Sequence, residues 1–358
     1  MTSSRAVIIT GASVLEGPEL RLIDDAVIVV RDGVIETVGR AGTEEPPSGA
    51  EEMAAPDSVV VPGFVDMHVH IGLATPSDVL AGGVTTVLDL GWPPDLLAPV
   101  LEQSRTPGFE GPLVLAAGPI LTAQRGYPTR ARWAPPDTGR EVASAHEARA
   151  SVNELVEGGA TVVKIALDPT AGPTLELDVV REIASASHDR GVKVMAHISS
   201  LAELDKAIAA GVDALAHMLL SPDRIPDETI EEMVSRDVAV VPTLSVFTGP
   251  ALDIGIDNLH RFRGAGGVVL YGTDLGNEGP MPGIDPLEVA ALQAAGMGTL
   301  DIIRAATVTP SSWLPIVKKG WLAAGMDADL VAVSRDALDN PALLCRPRLV
   351  MREGVARR

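Results

Sequence analysis

The stretch VVVPGFVDMHVH, residues 59–70, is an apolar run that ends in two histidines one residue apart. Side chains alternate faces along a β-strand, so His68 and His70 project together from the strand's end. Two imidazoles so placed are a natural pair of metal ligands. Downstream, four more potential ligands close their own short apolar runs: Lys164 in TVVKIAL, His197 in KVMAHI, His217 in ALAHML and Asp274 in VVLYGTD. Six such residues at or near strand ends point to a metal site built at one end of a barrel.

Working outward from this stretch, the apolar runs predict strands at 64–70, 85–90, 112–117, 161–167, 193–198, 214–218, 238–244 and 267–273. Several are continuously apolar, as expected of parallel strands covered on both faces. Helical patterns follow most of them, at 146–159, 176–191, 202–211 and 227–237, with Gly191 as a C-cap candidate. The class is α/β, and the alternation matches a (β/α)8 TIM barrel. A doubly wound sheet is the rival. The ligands come from strands 1, 4, 5, 6 and 8, and only a closed barrel brings those C-terminal ends together.

Both ends of the chain read as β. AVIITGASV, DDAVIVVRDG and VIETVG precede a polar, Pro- and Ala-rich link at 41–58, and Asp32-Gly33 is a hairpin signal. DADLVAVSRD and RPRLVMREG return to strands, with Gly354 as a turn residue. The expected organisation is a discontinuous β-sandwich domain, residues 1–61 and 311–358, around a catalytic barrel at 62–310.

A chain of 358 residues, 46% hydrophobic and 21% charged, has the composition of a folded protein rather than a disordered one. A formal net charge of −20 argues against non-specific binding to nucleic acid or anionic membranes. One cysteine, Cys345, forms no internal disulfide, and no apolar run approaches the ~18–20 residues of a membrane span. A cytoplasmic chain acting on a small molecule is the expectation.

Imidazoles and carboxylates are the usual ligands of Zn²⁺ and also suit Mn²⁺ or Fe²⁺. A lysine becomes a ligand when its neutral amine takes up CO₂ as a carbamate, and burial favours the neutral amine. On this reading His68, His70 and Asp274 hold one divalent ion and His197 with His217 a second. A carbamate on Lys164 bridges the two. Water activated there is a hydroxide source, and Asp274 takes the proton.

The order HxH (His68, His70), Lys164, His197, His217 and Asp274 resembles the binuclear group of the amidohydrolase superfamily. VPGFVDMHVH is similar to that family's entry strand, GMDADLV (325–331) to its return strand and AATVTP (305–310) to its last barrel helix. GVKVMAHI (191–198) and AAGVDALAHM (209–218) look most like the prolidase and imidazolonepropionase-related branch. The resemblance covers essentially the whole chain. It implies a metal-dependent hydrolase acting on an amide, cyclic amide or ester bond, with an N-acyl amino acid or dipeptide-like substrate. Family members commonly associate, so a homo-oligomer is compatible with it. Two features depart from the branch. Ala216-His217 stands where Glu-His is common, and GPILTAQRGYPTRARWAPP (118–136) replaces a Gly- and His-rich loop.

That loop is the candidate for substrate recognition. Aromatic residues are 3% of the chain, yet Tyr127 and Trp133 fall here with Arg125, Arg130 and Arg132. An arginine fork suits an acidic group, so Arg125 or Arg130 is expected to hold one, with Tyr127 beside the scissile bond. His260, in the stretch read as irregular at 245–266, is a further candidate facing the pocket. Two rivals stand beside this reading. One is a single-metal deaminase or cyclic-amide hydrolase using His68, His70, His197 and Asp274. The other is a non-catalytic scaffold, which lost ligands would mark; none is lost here.

Overall fold

In the computed structural model, which describes residues 6–42, 47, 49–314 and 316–357, the short apolar runs become parallel strands. Three of them, β5 (Phe64–Val69), β6 (Val84–Asp89) and β7 (Leu113–Ala116), form one sheet in that order. A second sheet runs β13 (Ala239–Val240), β12 (Ala214–Leu215), β11 (Lys193–Ile198), β10 (Val162–Leu167), β8 (Ile120–Thr122) and β9 (Gly139–Glu141). Every residue of β5, β6 and β10 is buried, as expected of strands covered on both faces. The Thr161 N–H donates to the Ala116 carbonyl at 2.8 Å, linking the entrance of β10 to β7.

The run expected as an eighth strand is extended but irregular. Leu270 N–H donates to Val240 O at 2.9 Å, Met67 N–H to Tyr271 O at 2.9 Å, and Asp274 N–H to His68 O at 2.7 Å. One segment thus bonds to β13 on one side and to β5 on the other, and it carries Asp274 to the end of the histidine strand.

Helices follow the strands at Ala145–Glu157, Leu177–Asp189, Leu201–Ala210 and Asp227–Ser235. Ser144 and Ser200 cap two of them, each accepting a hydrogen bond from the backbone N–H three residues on. The stretch after β13 is a correction to the sequence reading. Gly249–Gly264 is a helix, with Gly255, Asn258, Leu259 and Phe262 buried on one face. Its glycines disguise it. A Cβ on Gly255 would come within 2.9 Å of Leu244 Cδ2, so glycine there serves close packing rather than a turn.

The two chain ends share one seven-stranded sheet. Its order is β16 (Val355–Arg357), β15 (Leu349–Arg352), β14 (Leu330–Ser334), β4 (Glu51–Pro62), β1 (Ala6–Glu16), β2 (Arg21–Arg31) and β3 (Val34–Arg40). Asp32 and Gly33, with φ of 49° and 86°, make the hairpin expected from their sequence. Part of the link expected at 41–58 lies outside the described residues, at 43–46 and 48. Most of the rest, from Glu51, is strand β4. It pairs with β1 on one side and β14 on the other, and those partners override its Pro- and Ala-rich composition. Pro56, which has no N–H to offer, falls where the register slips from Thr10↔Ala54 to Ala12↔Ser58.

A buried ion cluster secures this sheet. Lys319 is 5% exposed, and its Nζ lies 2.8 Å from Asp329 Oδ2 and 2.9 Å from Asp327 Oδ2. Asp329 also accepts from Glu353 N–H, and its carbonyl accepts from Gly63 N–H at the entrance to β5. Lys319→Met leaves the Asp329 carboxylate buried and unpaired, and should cost about 3–5 kcal/mol in urea unfolding. An unchanged midpoint would show that Asp329 finds another partner. Among the described residues no helix is long and apolar enough to cross a membrane.

Candidate metal centre

The alternation of β5 points Asp66, His68 and His70 to one side, all buried. His68 Nδ1 donates to the Ala216 carbonyl at 2.7 Å and His70 Nδ1 to the Gly91 carbonyl at 3.1 Å. Each bond fixes a tautomer and leaves Nε2 as the lone-pair nitrogen. Those two nitrogens lie 3.2 and 3.3 Å from Asp274 Oδ1. The ligand atoms of His68, His70 and Asp274 all fall within 4.8 Å of one another. Three nitrogen and oxygen donors at that spacing can hold one divalent ion.

The second half comes from the next strands. His217 stacks near His68, with ring centroids 4.7 Å apart, and His197 meets His217 edge-on at 4.8 Å. His217 Nδ1 is bonded to Thr243 Oγ1 at 2.8 Å, which leaves its Nε2 available. Thr243 is fully buried with a left-handed φ of 47°, a backbone state unusual for a β-branched residue and found here against a site histidine. Lys164 lies in the middle of β10, 2% exposed, and its Nζ has no hydrogen-bond partner among the described residues. Its positive charge acts on all four histidines and on Asp274, so the amine belongs to the same cluster.

Electrostatics follow from burial. Burial pushes His68 and His217 well below the ordinary imidazole range, so both are neutral, as ligands must be. Burial brings the Lys164 amine down to about 7, against the pull of the Asp274 carboxylate. Asp274 stays at about 2: burial would raise it, but His68, His70 and Lys164 together outweigh that. An unpartnered buried amine and the unpartnered Asp274 Oδ1 are costly unless something occupies the space between them. Two imidazole nitrogens, two further histidines, a carboxylate and a lysine amine fit divalent ions there.

Several residues that sequence reasoning passed over hold the ligands in place. Asp66 Oδ1 accepts from His68 N–H and Thr273 N–H at 3.0 and 3.1 Å, and Oδ2 from Thr273 Oγ1 at 2.6 Å. It ties the strand of His68 to the segment of Asp274. Asp89, at the end of β6, accepts from Ile71 N–H and Gly91 N–H and so sets the carbonyl that receives His70. Asp168, just past β10, lies with Oδ2 3.5 Å from His197 Nε2. Burial opposes its charge, but the facing His197 imidazole and the bonds from Ser199 and Thr170 hold its carboxyl below the usual range. The missed signal was the charge itself: Asp66 and Asp89 are carboxylates inside otherwise apolar runs.

The stretch expected as a loop at 118–136 contains β8, and the segment between β8 and β9 contributes an aromatic pair. Tyr127 stacks on His197 with centroids 4.7 Å apart, and Trp133 lies 4.6 Å from His70. Trp133 Nε1–H donates to Tyr127 Oη at 3.2 Å, so the pair spans both halves of the centre. Arg125 and Arg130, on the same loop, are exposed and outside this cluster. His260 is not brought to it either. It is exposed on the helix Gly249–Gly264, bonded to the Ala295 carbonyl at 3.1 Å. That corrects the sequence reading, which took the helix for an irregular loop.

Comparison with known proteins agrees with this architecture. An uncharacterized protein of Mycobacterium tuberculosis is 28% identical over 349 residues, covering 88% of this chain and 89% of that one. The imidazolonepropionase of Deinococcus deserti is 26% identical over 366 residues, with 88% and 87% covered. The crystal structure of a Xaa-Pro dipeptidase with bound methionine superposes with a TM-score of 0.83 at 21% identity, over 98% of this chain and 99% of that one. Residues 59–355 match the Amidohydrolase family, from the apolar run ahead of the histidine strand to the last strand of the terminal sheet, and the chain belongs to that family.

Proposed function

We propose that the chain is a two-metal hydrolase, built on a closed (β/α)8 barrel, that cleaves an amide, cyclic amide or ester bond of a small molecule. The observation that carries this reading is the meeting of His68, His70, Lys164, His197, His217 and Asp274, with the Lys164 amine buried and unpartnered among them. His68, His70 and Asp274 would hold one ion, His197 and His217 the other, with zinc the first choice for such donors. Divalent ions in such a site lower the pKa of water towards ~7 and polarise a carbonyl oxygen.

This chain's own residues do the rest. Lys164 as a neutral amine would take up CO₂ with loss of one proton to solvent, and the resulting carbamate would supply an anionic oxygen ligand between His68, His70 and Asp274 on one side and His197 and His217 on the other. Asp274, ionised and central, accepts the proton lost when water attacks and returns it to the leaving group. Tyr127 and Trp133 wall the centre and exclude water from the bound substrate. The names of the two characterised relatives support screening dipeptides, N-acyl amino acids and imidazolone-type cyclic amides first.

One observation favours a single-metal reading: among the histidines and carboxylates of the described residues, His68, His70 and Asp274 are the group whose ligand atoms lie within 4.8 Å of one another. Metal content decides. Protein prepared without chelator and with bicarbonate should carry close to two equivalents per chain. A single equivalent would move deaminase and cyclic-amide chemistry to the front and make Lys164 a substrate contact.

A further inference from the structure

His197 differs from the other site histidines in how its ring is held. His68 and His70 each donate Nδ1–H to a backbone carbonyl, and His217 Nδ1 is bonded to Thr243 Oγ1. The Nε2 of His197 is buried, without a hydrogen bond among the described residues, and 3.5 Å from Asp168 Oδ2. Asp168 is itself firmly placed. Its Oδ1 accepts from Ser199 Oγ at 2.6 Å, Thr170 N–H at 3.0 Å and Thr170 Oγ1 at 2.6 Å. With Oδ1 so committed, Oδ2 is left facing the imidazole edge.

The parallel register explains the arrangement. Ala166 pairs with His197 and Leu167 with Ile198, so the next step brings Asp168 beside Ser199. Lys164 lies within β10 and Asp168 just past its end. Tyr127 packs on the face of the His197 ring, at 4.7 Å and 25° between planes, while Asp168 addresses its edge.

We propose that Asp168 is the positioning residue of the second metal half, taking the Nε2–H of His197 so that Nδ1 is turned to the ion. The inference rests on the two-metal reading. A carboxylate behind a ligating histidine fixes its tautomer and raises its basicity, and removing such a partner costs ~10–100-fold in metal affinity.

The test is a zinc titration of the apoprotein, read as two binding constants, for the unmodified chain and for Asp168→Ala, Asp168→Asn and Ser199→Ala. Asp168→Ala should weaken the second equivalent ~10–100-fold with the first unchanged. Asp168→Asn, which keeps an acceptor but no charge, should recover part of that loss. Ser199→Ala, which only loosens Asp168, should weaken the second equivalent by a smaller factor. If the alanine variant does not fold, the asparagine and Ser199 variants carry the test. Two equivalents bound at unmodified affinity in the variants that fold would overturn this inference alone. A single equivalent in the unmodified chain would overturn it together with the two-metal reading.

Discussion

Asp274→Asn is expected to lower turnover by about 10²–10⁴-fold, the usual worth of a positioned general base, with the fold intact. The expectation comes from its place. One carboxylate oxygen lies 3.2 and 3.3 Å from the Nε2 atoms of His68 and His70, and the other is 3.9 Å from His217 Nδ1. Held at about 2 by the surrounding nitrogens, Asp274 is ionised throughout the neutral range and ready to accept a proton. Asparagine has nearly the same shape and tolerates the left-handed backbone at this position, where φ is 58°. The change therefore removes the basic oxygen and leaves the backbone bond from Asp274 N–H to His68 O in place. The measurement is kcat on the best substrate of the panel, with metal content and a thermal melt on the same sample. A kcat within a few-fold of the unmodified enzyme would remove Asp274 from proton transfer. A fall in kcat that tracked lost metal would make its role ligation alone.

Strand alternation made the candidate cluster legible in the sequence. His68 and His70 share a face because they are two residues apart. Lys164, His197 and His217 stand out because each interrupts an apolar run that has no other reason to carry a polar side chain. What was not legible depended on partners distant in sequence. Residues 51–58 look like a linker because their composition is poor for a strand, yet they belong to β4, and β1 and β14 supply its hydrogen bonds. The helix Gly249–Gly264 hides behind its glycines, one of which, Gly255, packs closely against Leu244. The positioning residues were harder still. Asp89, at the end of β6, and Thr243, past the end of β13, act on His70 and His217 from elsewhere in the chain, and no spacing rule links them to those histidines. Asp168 was missed for the same reason, because it lies just past the end of β10 and meets His197 from the neighbouring strand.

Lys164→Met should leave the metal-free protein as stable as the unmodified one or more so, while abolishing most metal uptake at the second position. The two effects have one cause. Lys164 Nζ is buried without a partner among the described residues, so in the apoprotein it contributes desolvation cost and no hydrogen bond. Methionine fills a similar volume without that cost, and replacing a buried charged group by a well-packed apolar one is often neutral or stabilising. An ordinary structural lysine would behave in the opposite way, because its removal would strand a carboxylate. Lys319 is that contrasting case in the same chain. Lys164→Ala extends the test, because it leaves room where the side chain stood. Short carboxylic acids such as acetate or propionate, added in millimolar excess, should enter that space and partly restore both metal content and turnover, since their two oxygens stand in for those of a carbamate. Retention of two equivalents of metal by both variants would remove Lys164 from the bridge. Lost stability in the metal-free methionine variant would show that Nζ has a partner in solution, and the argument for a vacant bridging amine would fail with it.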